Sequence, residues 1–218
     1  SYSNFVYLVL TYICMSVPIQ SLVCQPKNPI FYRLSSDYSL VSNKTTCTVE
    51  DYMGYIWIGS EEGLSRYNGY GSKNYTAKSA DTTTLNHDYI NVLHVDRAKN
   101  LWVGTFSGLC RYNFSEDHFE RIGDSFDQLK DQSINAISEY NGSIWFGTDE
   151  KLVGLDLQKW QVTNIFQPKD KDGYPLKINV LYSDQAGLKI STPQCLYILN
   201  GEKIHKEHSL GDIHVSTI

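Results

Sequence analysis

Close cysteine spacing is missing from this sequence. The five cysteines, at positions 14, 24, 47, 110 and 195, nowhere form the C-x-x-C pairs of a zinc site, and their odd number yields no disulfide framework. Basic excess is missing too. The formal net charge is −5, with no long run of like charge, which argues against nucleic acid as a partner. Motifs of the G-x-S-x-G and H-E-x-x-H types are absent, as is a phosphate-cradling glycine loop. The six histidines are scattered, and His205 and His208, three apart on a strand, fall on opposite faces. No segment after the first 24 residues keeps a helical period. These absences imply no cofactor, no metal and no catalytic residue.

What the chain does hold suits strands. It is 41% hydrophobic and 20% charged, the composition of a soluble globular protein, with 16 tyrosines and four tryptophans. The N-terminus is different. From Phe5 to Val17 no residue is charged, a run too short for a bilayer but suited to the apolar core of a secretory signal. Residues 1–24 are therefore read as a signal-peptide-like segment, and residues 25–44 as a lead-in containing a closing outer strand at 30–34.

The chain then repeats itself. "YIWIGSEEGLSRYN" (55–68), "NLWVGTFSGLCRYN" (100–113) and "SIWFGTDEKLVGLD" (143–156) align on their Trp, and Ile90-Asn91, Ile134-Asn135 and Ile178-Asn179 recur at spacings of 44. Self-similarity at that period marks a solenoid, propeller or array. Within one unit, "INVLHVD", "LWVGT", "GLCRYN" and "HFERI" are four short β-rich runs split by turn residues. Four antiparallel strands in ~44 residues make one propeller blade. The fold expected is all-β: a β-propeller of about four complete blades at 45–76, 89–122, 133–166 and 177–207. The start of a fifth falls at 212–218, and the whole is read as the N-terminal piece of a larger, seven-bladed ring.

The motif residues acquire structural roles. Asp51 and Asp96, six residues before their Trp, end the first strand and accept backbone N–H groups in its turn. Gly54 and Gly142 supply positive φ there. Trp57, Trp102 and Trp145 bury a flat surface against the next blade, and Gly59, Gly104 and Gly147 let the adjacent sheet approach. The third unit departs from the pattern with Lys151, Gly154 and Leu155. The fourth has Lys189 for Trp and Ser191 for Gly, which predicts a loosely packed or specialised blade.

The pattern D-x-x-G-x-[IL]-W-[IV]-G-[ST]-x-x-G-L-x-R-[YF] resembles the two-component-regulator propeller repeat, well over residues 31–166 and more weakly to 218. The resemblance implies the periplasmic sensor part of a Bacteroides-type hybrid two-component protein, an inner-membrane protein whose histidine kinase lies outside this chain. It implies an oligosaccharide ligand, pairing with the remainder of its own chain, and a homodimer at full length. The loops entering the inner strands line the axial mouth of a propeller, so Asn86, His87, Asp88 and Tyr89 are the ligand-site candidates, with Asn135 and Asn179 behind them. Asn91, Asn135 and Asn179 are read first as repeat-structural, because a ligand site rarely recurs. Two other classes stay open: a propeller-fold lyase or glycosidase, and a non-catalytic interaction scaffold.

Overall fold

A computed structural model describes residues 40–209. The signal-like segment 1–24, the closing strand 30–34 and the fifth-blade strand 212–218 lie outside the described residues. Among the described residues, sixteen strands form four antiparallel sheets in chain order. The first holds β1 (Thr45–Glu50), β2 (Ile56–Ser60), β3 (Gly63–Tyr67) and β4 (Ser72–Tyr75). The second holds β5 (Ile90–Val95), β6 (Leu101–Thr105), β7 (Gly108–Asn113) and β8 (His118–Arg121), followed by a single 3-10 turn at Ile122–Ser125. The third holds β9 (Ile134–Tyr140), β10 (Ser143–Thr148), β11 (Leu152–Asp156) and β12 (Gln161–Phe166). The fourth holds β13 (Val180–Asp184), β14 (Gly187–Ser191), β15 (Cys195–Asn200) and β16 (Lys203–Ser209). Each sheet is a meander, and β1, β5, β9 and β13 lie against one another in that order. These are propeller blades with their first strands innermost.

Three hydrophobic clusters fill the three seams between blades. Trp57 is buried with Leu93, Val103, Tyr112 and Phe119 of the second blade. Trp102 is buried with Ile137, Phe146 and Val153 of the third, and Trp145 with Leu181, Leu188 and Tyr197 of the fourth. Next to each Trp sits the glycine. A Cβ on Gly59 would stand 2.8 Å from Cγ2 of Ile90; on Gly104, 2.8 Å from Cγ2 of Ile134; on Gly147, 2.6 Å from Cγ2 of Ile178. The two repeated features of the sequence thus meet: the Gly of one blade receives the Ile that opens the next.

The turn between the first two strands explains the repeated Asp. In blades one and two it runs from Asp51 to Tyr55 and from Asp96 to Asn100, between the paired residues Glu50–Ile56 and Val95–Leu101. Asp51 Oδ1 accepts from the amides of Met53 (2.8 Å) and Tyr55 (3.1 Å), and its Oδ2 accepts from Trp57 Nε1 at 2.7 Å. Asp96 accepts from the Asn100 amide (2.8 Å), Asn100 Nδ2 (2.9 Å) and Trp102 Nε1 (2.8 Å). The aspartate therefore closes the turn and also orients the Trp ring. Gly54 has φ +85°, and Lys99 adopts the same left-handed conformation in the second blade at +70°.

The third and fourth blades solve the same problem differently. Their turns contain two residues, Asn141-Gly142 and Gln185-Ala186. Asn141 and Gly142 both have positive φ, as a type I′ hairpin requires. The shorter turn brings the Tyr140 carbonyl to Trp145 Nε1 at 3.2 Å, and no carboxylate is needed. Gly154, in the place of Arg66 and Arg111, leaves room for that indole, because a Cβ there would be 2.9 Å from Trp145 Cζ3. In the fourth blade Lys189 replaces Trp and pairs with Asp184 at 2.5 Å. Val180 and Tyr182 on the other face of that blade are exposed, while Leu188, Ile190 and Leu199 fill its seam with the third.

One seam residue is poorly matched. His94 on β5 occupies the position of Val49, opposite the Trp, and its Nε2 is buried with no hydrogen-bond partner among the described residues. Burial lowers its pKa below the ordinary 6.5, opposed by the carboxylates of Asp96 and Glu139. A histidine depressed in the folded state contributes stability above its unfolded pKa, and that contribution is lost as pH falls below about 6.5. His94→Val is expected to stabilise the chain by about 1 kcal/mol at neutral pH. The gap should widen between pH 6.5 and 5, as measured by urea unfolding at several pH values. Equal pH slopes for the two proteins would refute this.

Candidate functional site

The strand directions bring the crossover loops and the second-to-third-strand hairpins to one end of the blades. At the second blade this end is built on the loop 76–89, which joins β4 to β5. The loop is braced from beneath. Arg121 on β8 donates to the carbonyls of Lys78, Asp81, Thr84 and Leu85 at 2.9–3.2 Å, and the Phe119 amide donates to Thr83 O at 2.9 Å. Leu85 is fully buried and anchors the loop in the first seam.

The four candidates divide into two pairs. Asn86 and Asp88 are framework. Asn86 Oδ1 accepts from Thr105 Oγ1 (3.2 Å) and Cys110 Sγ (3.1 Å), and its amide nitrogen lies 1.9 Å from where a Cβ of Gly108 would stand. Asp88 Oδ1 accepts from the Ala77 amide at 2.7 Å and ties the two ends of the loop. His87 and Tyr89 are different. His87 Nδ1 accepts from the Tyr89 amide at 2.9 Å, and both rings face Phe106, with centroids 5.5 and 6.4 Å away. Phe106, in the β6–β7 hairpin, is 58% exposed, and its amide donates to Tyr89 O at 2.9 Å. Sequence reasoning missed it. The signal was there: the matching hairpins carry Glu61 and Asp149, and an aromatic at such a tip has no core to enter.

A polar row continues across the same end. Asn91 Nδ2 donates to Ser133 Oγ at 3.1 Å, Ser133 Oγ to Asn135 Oδ1 at 3.2 Å, and Asn135 Nδ2 to Asp149 Oδ1 at 2.9 Å. Lys177 Nζ pairs with the same Asp149 oxygen at 3.0 Å. Asn91 therefore links the second blade to the third, while Asn179 is exposed. Aromatic faces beside fixed amides and a carboxylate are the ingredients of a site for a polyhydroxylated ligand. Burial pushes the nearby Cys110 thiol up to about 12, which keeps it protonated at neutral pH. Among the described residues no group of His, Cys, Asp and Glu is placed to hold a metal ion, and no helix is long and apolar enough to cross a membrane.

Comparison with known proteins bears on this end directly. Residues 84–107 match the family described as "Two component regulator propeller". That match spans the crossover residues, β5, β6 and Phe106, and it agrees with the resemblance read from the repeats. No curated protein matches the chain. Among solved structures, the chain is similar to the extracellular domain of the hybrid two component system BT3049 from B. thetaiotaomicron. The identity is 16% with a TM-score of 0.52, over 80% of this chain and 31% of that one. It is also similar to the Neurospora crassa Pan2 WD40 domain, at 15% identity and a TM-score of 0.50, over 76% of this chain and 51% of that one. A third likeness is to the extracellular domain of the one component system BT4673 from B. thetaiotaomicron, at 19% identity and a TM-score of 0.48, over 75% of this chain and 33% of that one. The first two likenesses, at these identities, establish the propeller fold and nothing finer. The chain spans about a third of the two B. thetaiotaomicron domains.

Proposed function

We propose that this chain is part of the extracytoplasmic, periplasmic ligand-sensing region of a hybrid two-component signalling protein, and that it detects oligosaccharides without turning them over. The family match at residues 84–107 supports the regulator reading. The observation that carries the ligand is the exposed Phe106 ring, backed by His87 and Tyr89 and followed by the amide and carboxylate row from Asn91 to Asp149. A sugar ring stacks its C–H face on such an aromatic and offers its hydroxyls to the amides. In this reading the rest of its own chain completes the propeller, and the full-length protein signals as a homodimer to a kinase beyond the membrane.

The test is calorimetric binding of an oligosaccharide panel to the full chain and to Phe106→Ala. Phe106 is exposed, so its loss leaves the fold intact. A member of the panel is expected to bind, and the variant to weaken that binding about tenfold, or about 1.4 kcal/mol. Unchanged affinity in Phe106→Ala would refute the site, and no binding across the panel would refute the saccharide assignment.

A further inference from the structure

The opposite end of the first blade holds a second built feature, independent of the proposed sensing site. Arg66 on β3 is enclosed by rings, with its guanidinium carbon 5.0 Å from the centroid of Tyr55, 5.6 Å from Trp57, 5.9 Å from Tyr75 and 6.0 Å from Tyr112. Its Nη1 donates to Tyr112 Oη of the second blade at 2.7 Å. The rings fix the plane of the guanidinium without neutralising it. Lys73 on β4 pairs with Asp117, whose nearest oxygen stands 3.8 Å from Arg66. Against the opposing effect of burial, hydrogen bonds from Lys73, Tyr112 and Tyr75 hold the Asp117 carboxyl at about 2, so it stays ionised. Arg66 and Lys73 thus share Asp117 as their paired carboxylate, and each has further N–H donors beyond that pairing.

Both cations open onto one cleft of about 310 Å³, which they line with Tyr55, Asn68, Gly71 and Ser72. Asp117 does not line it, but lines a separate cleft with Asn74 and Thr83. We infer that this cleft binds an oxyanion, a carboxylate or sulfate group, on Arg66 and Lys73. Its volume exceeds that of a bare anion and accommodates one ring bearing the charge, with Tyr55 in its wall. The prepositioned guanidinium supplies a planar fork of donors, and the flexible ammonium supplies the second point of attachment.

The experiment titrates the full chain with glucuronate, inorganic sulfate and uncharged glucose by NMR. Two variants accompany the wild type. Lys73→Gln removes one cation. Gly71→Asp places a carboxylate at the rim, where a Cβ meets nothing within 4 Å, so the fold accepts it. Glucuronate is expected to bind at least tenfold more tightly than glucose, to weaken with added salt, and to lose at least tenfold in Gly71→Asp. Sulfate competing as well as glucuronate assigns the site to the anionic group alone, and glucuronate winning assigns it to the acidic sugar; both support the inference. Equal affinity for glucose, undiminished binding in Gly71→Asp, or no binding of either anion overturns it.

Discussion

Gly104→Ala is expected to lower stability by about 2 kcal/mol, or roughly 4–8 °C in melting temperature for a chain of this size. The added Cβ would stand 2.6 Å from Cγ1 of Val92 and 2.8 Å from Cγ2 of Ile134. Neither neighbour can retreat, because both sit on inner strands hydrogen-bonded into their sheets, and Ile134 is fully buried. Ile134→Ala alone should cost more, about 2–5 kcal/mol, by opening a cavity in the seam. The double variant is the informative one. With the isoleucine gone, the new methyl fills part of the cavity, so the combined loss should fall at least 1 kcal/mol short of the sum. Additive losses would mean that Gly104 and Ile134 do not form the seam contact. Denaturant unfolding of the four proteins decides it.

Asp96→Ala is the second large effect, a loss of about 3 kcal/mol. Asp96 is buried and accepts three hydrogen bonds, and its removal leaves the Trp102 indole N–H without an acceptor inside a packed seam. The turn loses its fastening in the same step. The third blade predicts a contrast. Trp145 donates to the Tyr140 backbone carbonyl, so no side-chain acceptor exists there whose removal would leave the indole N–H unpaired. Trp102 fluorescence should move to longer wavelength in Asp96→Ala as the ring loosens. A loss below about 0.5 kcal/mol would show that the aspartate only terminates the strand.

The repeat made most of the fold legible. Trp57, Gly59, Asp51 and their counterparts recur in register, so their positions gave both the strand order and the seams. The sequence reading assigned Asp51 to the turn amides and stopped there; its bond to Trp57 spans six residues along a bent chain, which strand alternation does not reveal. The departures were visible and their reason was not. Gly154 looked like a lost arginine, and the structure makes it the space in which the Trp145 ring lies. Lys189 was legible only as the absence of Trp, and the structure pairs it with Asp184, five residues earlier.

Contacts between units were the least legible. Arg66 and Tyr112 belong to the same motif in different copies, 46 residues apart, and nothing in one copy says that its arginine reaches the tyrosine of the next. The second seam shows that the rule is not general. Leu155 replaces the tyrosine there, and Arg111 turns to Glu120 at 2.6 Å and to the Trp160 ring at 5.0 Å. The candidate site was half legible for a related reason. Of the polar residues read before the inner strand, Asn86 and Asp88 serve the loop itself, and the aromatic that His87 and Tyr89 face stands in another hairpin.

The most direct test of the sensing account is to incubate the full chain with an oligosaccharide that binds it, recording amide shifts and reducing ends in the same sample. The account predicts shifts centred on His87, Tyr89, Phe106 and Asn135, with the oligosaccharide recovered intact. New reducing ends or unsaturated products would contradict it and make this propeller an enzyme.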